Sequence, residues 1–215
     1  MLKVWGRRSA FNVQKVMWLI GELDLPHEHT ELGGAAGGLD DPAFLAMNPN
    51  GKVPVIDHDG TVVWESHAIL RYLAAVFGDA ALWPDDPAAR SEADRWMDWS
   101  QTSLQPAFLT GIFWGYFRAP EAQRDWPMIR EKQSLTSQCL IRLNDALDGR
   151  DFLGGTQFGL ADIPAGTNLY RLFGMDLEWP SVPRVEAWYE RLKERPAYRE
   201  HVMIPFQDLK GRTSY

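Results

Sequence analysis

The chain has 215 residues, 45% hydrophobic and 24% charged, which specifies one large or two modest packed domains and excludes global disorder. A net charge of -7 excludes nucleic acid as a general partner, because phosphate binding needs a clustered basic surface and Arg7-Arg8 is too short to supply one. The single cysteine, Cys139, excludes an internal disulfide, no run reaches a membrane span, and Met1 to Arg8 lack a signal-peptide pattern, so a cytoplasmic location is expected.

Leu2 to Trp5 alternate and predict a first strand, followed by a loop at Gly6-Arg7-Arg8-Ser9. From Val13, the residues Val13, Val16, Met17 and Ile20 keep helical spacing to about Leu23, ahead of Asp24 and Pro26. His27 to Leu32 predicts a second strand. Gly33 to Gly38 is a glycine-rich loop without the lysine and hydroxyl of a phosphate loop. A short helix is expected at Phe44 to Met47, then a turn at Asn48-Pro49-Asn50-Gly51. Val53 to Asp57 and Thr61 to Trp64 predict a hairpin around His58-Asp59-Gly60, where Asp57 and Asp59 need only a turn role. A helix from Ser66 carries Ile69, Leu70, Leu73 and Phe77. This element order resembles an α/β thioredoxin-like unit.

Gly78 to Pro87 breaks the pattern and reads as a link between domains expected at 1–79 and 88–215. Beyond it the spacing predicts an all-α C-terminal helical domain. One helix is expected from Ala88 to about Phe117, kinked or interrupted at Pro106. Others are expected over Met128 to Leu147, Leu160 to Phe173 and Val182 to Glu194, the last stopped by Pro196. The tail from Met203 to Tyr215 has no clear period.

Two short pairs carry the chemistry. Val53-Pro54 offers an extended backbone edge, and Glu65-Ser66 sets an acid and a hydroxyl at the mouth of a helix. Together they suit a small peptide with a charged amino-acid end. Taken singly, Ser66 reads equally as a helix cap, Glu65 as a surface charge and Pro54 as a trans proline opening a strand. Phe108, Phe113, Trp114 and Phe117 can wall an apolar pocket or simply pack the core, and Phe206 can close such a pocket. His27-Glu28-His29 gives two imidazoles without a third ligand nearby, so no metal site is expected. Cys139 reads as a buried small residue.

Across nearly its whole length the chain resembles the cytosolic glutathione S-transferases. The resemblance rests on Asn48-Pro49-Asn50-Gly51-Lys52-Val53-Pro54, on Glu65-Ser66-His67-Ala68-Ile69, and on a small domain followed by a helical one. It extends to Gly159-Leu160-Ala161-Asp162, where glycine replaces the usual Ser or Thr of a helix cap. The subtype is similar to the bacterial theta-like, beta-like and nu-like groups.

The resemblance implies that glutathione is the substrate, with no metal. Glu65 would accept its ammonium, and Ser66 and the helix mouth its carboxylate. Val53 would bind the cysteinyl backbone beside a cis Pro54, with Lys52 near the glycyl carboxylate. The partners implied are a small electrophile or disulfide and a second copy of the chain, as a homodimer. The thiolate donor stays open. Related bacterial proteins commonly place a hydroxyl five positions before the lysine matched to Lys15, but here that residue is Ala10. Asn12 and Ser9 rank equally, with Arg8 as an electrostatic helper. No tyrosine or cysteine lies in the first strand and loop, which excludes those two centres. The expected activity is attack of the glutathione thiolate on an electrophile, or disulfide or peroxide reduction. The alternative is a non-catalytic glutathione-binding or regulatory protein, favoured by Ala10.

Overall fold

Strand β1 (Leu2–Trp5) buries Leu2 and Val4 and turns Lys3 outward, the period of a half-buried strand. In the computed structural model, which describes residues 1–213, β1 lies inside a four-stranded sheet of order β2-β1-β3-β4. Strand β2 (His27–Thr30) pairs parallel to β1, joined by the crossover helix α1 (Phe11–Glu22). After a short helix, α2 (Pro42–Met47), strands β3 (Val55–His58) and β4 (Thr61–Trp64) add antiparallel. Helix α3 (Ser66–Phe77) packs against α1. This is the thioredoxin-like arrangement expected. The residue Tyr215 of the expected tail lies outside the described residues, as does Ser214.

Of the boundaries that differ from the sequence reading, two matter for the site. Helix α1 begins at Phe11 on an Ala10 N-cap, so Asn12 lies within the first turn. Strand β3 begins at Val55, which leaves Val53 and Pro54 outside the ladder.

The Asp86 carboxylate accepts from the N–H groups of Ala88 and Ala89 and starts α4 (Pro87–Trp99). The chain then stays helical well beyond Trp99. Ser100–Leu104 and Pro106–Arg118 are wound as π-helix, with Gln105 N–H bonded to Ser100 C=O and Ala119 N–H to Trp114 C=O. Pro106 was expected to kink or interrupt this helix, yet Gln105 keeps helical dihedrals of φ -63 and ψ -43. A proline ring clashes with the carbonyl four residues back in an α-helix, and the wider π turn relieves that contact. Helix α5 (Trp126–Ala146) lies close against this stretch, where a side chain at Gly111 would collide with the Lys132 stem. Helices α6 (Asp162–Phe173), α7 (Pro183–Glu194) and α8 (Pro196–His201) complete the layer.

One continuous core joins sheet and helices, with Trp18 of α1 packed on Tyr198 and Phe158 at ring distances of 4.7 and 5.3 Å. Arg71 of α3 ties the two layers at their surface by binding Asp94 at 2.6 Å and Asp98 at 2.7 Å. No helix among the described residues is long and apolar enough to cross a membrane.

Two buried ionisable groups hold this assembly. The Asp162 carboxylate accepts from Leu153 N–H and Gly159 N–H at 2.9 Å and from Trp188 Nε1 at 3.0 Å. Gly159 therefore supplies no side-chain cap, and the acid reaching back does that work. Burial pushes this carboxyl up to about 7, against the pull of the three N–H donors. Lys15 of α1 is fully buried and makes no ion pair among the described residues; burial lowers it to about 7, with the Glu65 charge opposing.

Asp162→Ala orphans three buried donors, and the expected loss is about 3 kcal/mol or more, read as a lower urea midpoint. For Lys15, the unfolded chain keeps the proton to about pH 10.5 and the folded chain releases it near 7. Between those values the unfolded state binds more protons, so this residue adds stability as pH rises and withdraws it as pH falls through 7. Lys15→Met should therefore gain most over the parent protein at pH 6 and least at pH 9, in urea midpoints compared at both.

Candidate functional site

The turn before Val53 is held by Asn48. Its Nδ2 donates to Lys52 C=O at 2.7 Å, and its Oδ1 accepts from Asn50 N–H at 3.1 Å. On the other side Gly6, at φ +147, lets β1 leave the sheet within van der Waals reach of Val13 and Val53. The Val53-Pro54 peptide bond is cis. No backbone hydrogen bond engages Val53 among the described residues, so its N–H and C=O face the space beside the strand. That edge can bind an extended peptide as an added strand would.

Pairing of Val55 with Trp64 brings Pro54 and Glu65 to the same end of the hairpin. Glu65 has φ +71, a conformation that costs a non-glycine residue about 1–3 kcal/mol. It is the N-cap of α3 by backbone, with no side-chain cap bond, and its carboxylate is exposed. Ser66 is thus the first helical residue and not the cap that the sequence alone also allowed. Ile69 N–H makes the first bond back, to Glu65 C=O at 2.9 Å. The N–H groups of Ser66, His67 and Ala68 therefore open α3 without intrahelical partners, and the helix dipole favours an anion there. The exposed Glu65 carboxylate stands beside them for a cation.

A groove of about 440 Å³ lies between the Val53 edge and the helical layer. Asn12, Lys52, Val53, Phe113 and Trp114 line it. Asn12 is the one residue between Ala10 and Ile20 that is not buried. Glu65 and Ser66 do not line this groove and sit past the cis proline. Ser9 lines a separate cavity of about 280 Å³ with Glu31 and Asp208, and its carbonyl accepts from Arg171 Nη2 at 2.7 Å. Arg7 borders both spaces, whereas the expected helper Arg8 lines neither. Phe108 and Phe117 are core residues, and Phe206 packs behind the wall on Phe113 and Phe117 at 6.0 and 5.2 Å rather than closing the groove.

Leu109, Phe11, Leu39 and Arg171 also line the groove, and sequence reading missed them. Arg171 stacks its guanidinium over Phe113 at 4.6 Å. Its only sequence signal was a cation inside an apolar helix pattern.

Beneath the groove a polar chain crosses from one layer to the other. Lys15 Nζ lies 3.2 Å from His67 Nε2 and donates to Gln105 Oε1 at 2.6 Å. Gln105 Nε2 in turn donates to Asn12 Oδ1 at 3.4 Å. Burial, then the nearby Lys15 and Arg71 cations, lower His67 to about 2, so it is a neutral imidazole at working pH. His27 and His29 each bond a backbone carbonyl, of Leu25 and Gly6, and no described cluster of three acidic, His or Cys side chains is placed to hold a metal.

Residues 1–75 match the glutathione S-transferase N-terminal domain family, and residues 129–191 match the C-terminal domain family. Glutathione S-transferase GstB of Escherichia coli strain K12 is 41% identical over 95% of this chain and 99% of its own. A theta class glutathione S-transferase from Xanthomonas axonopodis pv. citri, solved with glutathione bound, superposes with a TM-score of 0.89 at 43% identity, covering 95% of this chain and 98% of that one. A glutathione transferase of Bombyx mori superposes at 0.86 with 26% identity, covering 97% and 95%. With an open backbone edge beside a cis proline, an uncapped helix mouth and this similarity over both domains, the chain belongs to the glutathione S-transferase family.

Proposed function

We propose that this protein is a glutathione transferase in which Asn12 Nδ2 stabilises the bound thiolate. The single observation that carries this reading is the shared groove: Asn12 and Val53 line it together, and Ser9 does not. Glutathione would lie along the Val53 edge. Its γ-glutamyl ammonium meets Glu65 and its carboxylate meets Ser66 and the first N–H groups of α3. Lys52, exposed at the rim, serves the glycyl carboxylate. The thiol proton leaves to solvent, the sulfur attacks an electrophilic carbon, and the leaving group departs with the bonding electron pair. In the disulfide version the same sulfur attacks a disulfide and expels a thiolate. Phe113 and Trp114 form the apolar wall for the second substrate. Two copies of the chain form the working unit, in the cytoplasm.

A thiol with an ordinary pKa of about 8.5 is only a few per cent ionised at neutral pH. One hydrogen bond from an aimed donor contributes about 1.5–3 kcal/mol to a charged group, or one to two pKa units. The N-terminus of α1, with no acidic side chain in its first turn, adds about 0.3–1 kcal/mol.

Asn12→Ala should raise the pKa of bound glutathione by about one to two units, and Ser9→Ala should leave it in place, followed by thiolate absorbance against pH. An equal effect of both, or none from Asn12→Ala, removes Asn12 from the centre. Glu65→Gln should weaken glutathione about tenfold or more in calorimetry. Turnover of a chlorinated aromatic or of a small disulfide is expected. Binding without either turnover supports the non-catalytic reading that the donorless Ala10 suggests.

A further inference from the structure

An amide can present either end to a ligand, and only its N–H₂ end stabilises a thiolate. What decides the orientation of Asn12 is therefore a functional question. The deciding group comes from the other domain.

Lys15 is buried, and its ammonium form can only donate hydrogen bonds. With Nζ at 2.6 Å, Gln105 must turn its Oε1 toward Lys15. That leaves Gln105 Nε2 to face Asn12, which can receive it only through Oδ1. Asn12 Nδ2 is then left toward the groove, where it has no partner among the described side chains and backbone groups. At 3.4 Å the Gln105–Asn12 bond is the longest link of the chain. Each link is fixed by the donor or acceptor character of the one before, and the first is fixed by Lys15, which as an ammonium has no lone pair to accept with.

We propose that Gln105 is a positioning residue for thiolate formation, reading the Lys15 amine and orienting the Asn12 amide with its N–H₂ toward sulfur. It touches neither substrate and acts through Asn12. Gln105 lies between the two π-wound stretches, one residue before Pro106, and its side chain reaches α1 at Lys15 and Asn12. Docking of the helical domain would thus complete a centre whose other parts all lie in the thioredoxin-like domain. This inference rests on Asn12 as the thiolate donor.

The test is a double-mutant cycle read by the pKa of bound glutathione. Gln105→Leu should raise that pKa by about half to one unit, a loss of about three- to tenfold in thiolate at mildly acidic pH. The same change in an Asn12→Ala background should add nothing. Gln105→Glu guards against a folding defect: it keeps an acceptor for Lys15 but removes the donor to Asn12. It should retain thermal stability and still raise the thiol pKa. Binding of S-methylglutathione, which has no thiol to ionise, should stay within about twofold in every Gln105 variant. An equal shift in both backgrounds, no shift with Gln105→Leu, or a matching loss of S-methylglutathione affinity overturns the proposal. If Asn12→Ala alone moves nothing, the donor assignment itself has failed, which the single variant reveals before the cycle is read.

Discussion

Burying the Lys15 amine between α1 and the long helix leaves its N–H groups two described acceptors, His67 Nε2 and Gln105 Oε1. An uncompensated cation would cost several kcal/mol in such a place. The amine answers by losing affinity for its proton, and the neighbouring imidazole by refusing one. Three elements, α1, α3 and the π-wound helix, must meet at one point for these acceptors to be present. That requirement fixes how the helical layer sits on the sheet. It also sets the floor of the groove, since Gln105 is both the acceptor for Lys15 and the neighbour of Asn12.

The two ends of the ligand site come from one hairpin. Because β3 pairs with β4 in register, the open Val53 edge and the mouth of α3 lie at the same end of those strands. The left-handed backbone at Glu65 is the local cost of stopping a strand and starting a helix within one residue. It leaves the first N–H groups of α3 without a side-chain cap. In many helices an N-cap side chain accepts from one of these groups. Here no side chain caps them, so a residue pair that looks like routine capping in sequence leaves an uncapped helix mouth in three dimensions.

Strands β1 and β4, helix α3 and the break at Gly78 to Pro87 were legible because hydrophobic period and turn chemistry agree there. The Val53-Pro54 and Glu65-Ser66 pairs were legible from resemblance and spacing. Less accessible was anything set by contact between distant segments. Proline rules predicted a kink at Pro106, but no periodicity distinguishes a π turn from an α turn that breaks. Four aromatics in one helix looked alike in sequence. Only the rotation of that helix against α6 and the tail brings Trp114 and one edge of the otherwise buried Phe113 to the groove and leaves Phe108 and Phe117 wholly in the core. Ser9 and Asn12 were indistinguishable until the start of α1 at Phe11 put one in the loop cavity and the other in the groove.

An amide donor has a consequence that a tyrosine centre would not. A phenol loses its own proton near pH 10, and its hydrogen bond to sulfur changes character as it does so. In the proposed centre the Asn12 carboxamide does not titrate, so the donor would be constant over the whole working range. The group that does titrate close by is Lys15, near 7, one hydrogen-bonded residue away. While charged, it favours a thiolate above it by simple attraction. Once neutral, it loses that attraction and gains a lone pair, so it can accept from Gln105 as well as donate to it. Raising the pH therefore removes the electrostatic help in the range where the thiol needs less help to ionise. The proposed centre would thus place hydrogen bonding and charge on separate groups, Asn12 and Lys15, which a tyrosine would combine in one.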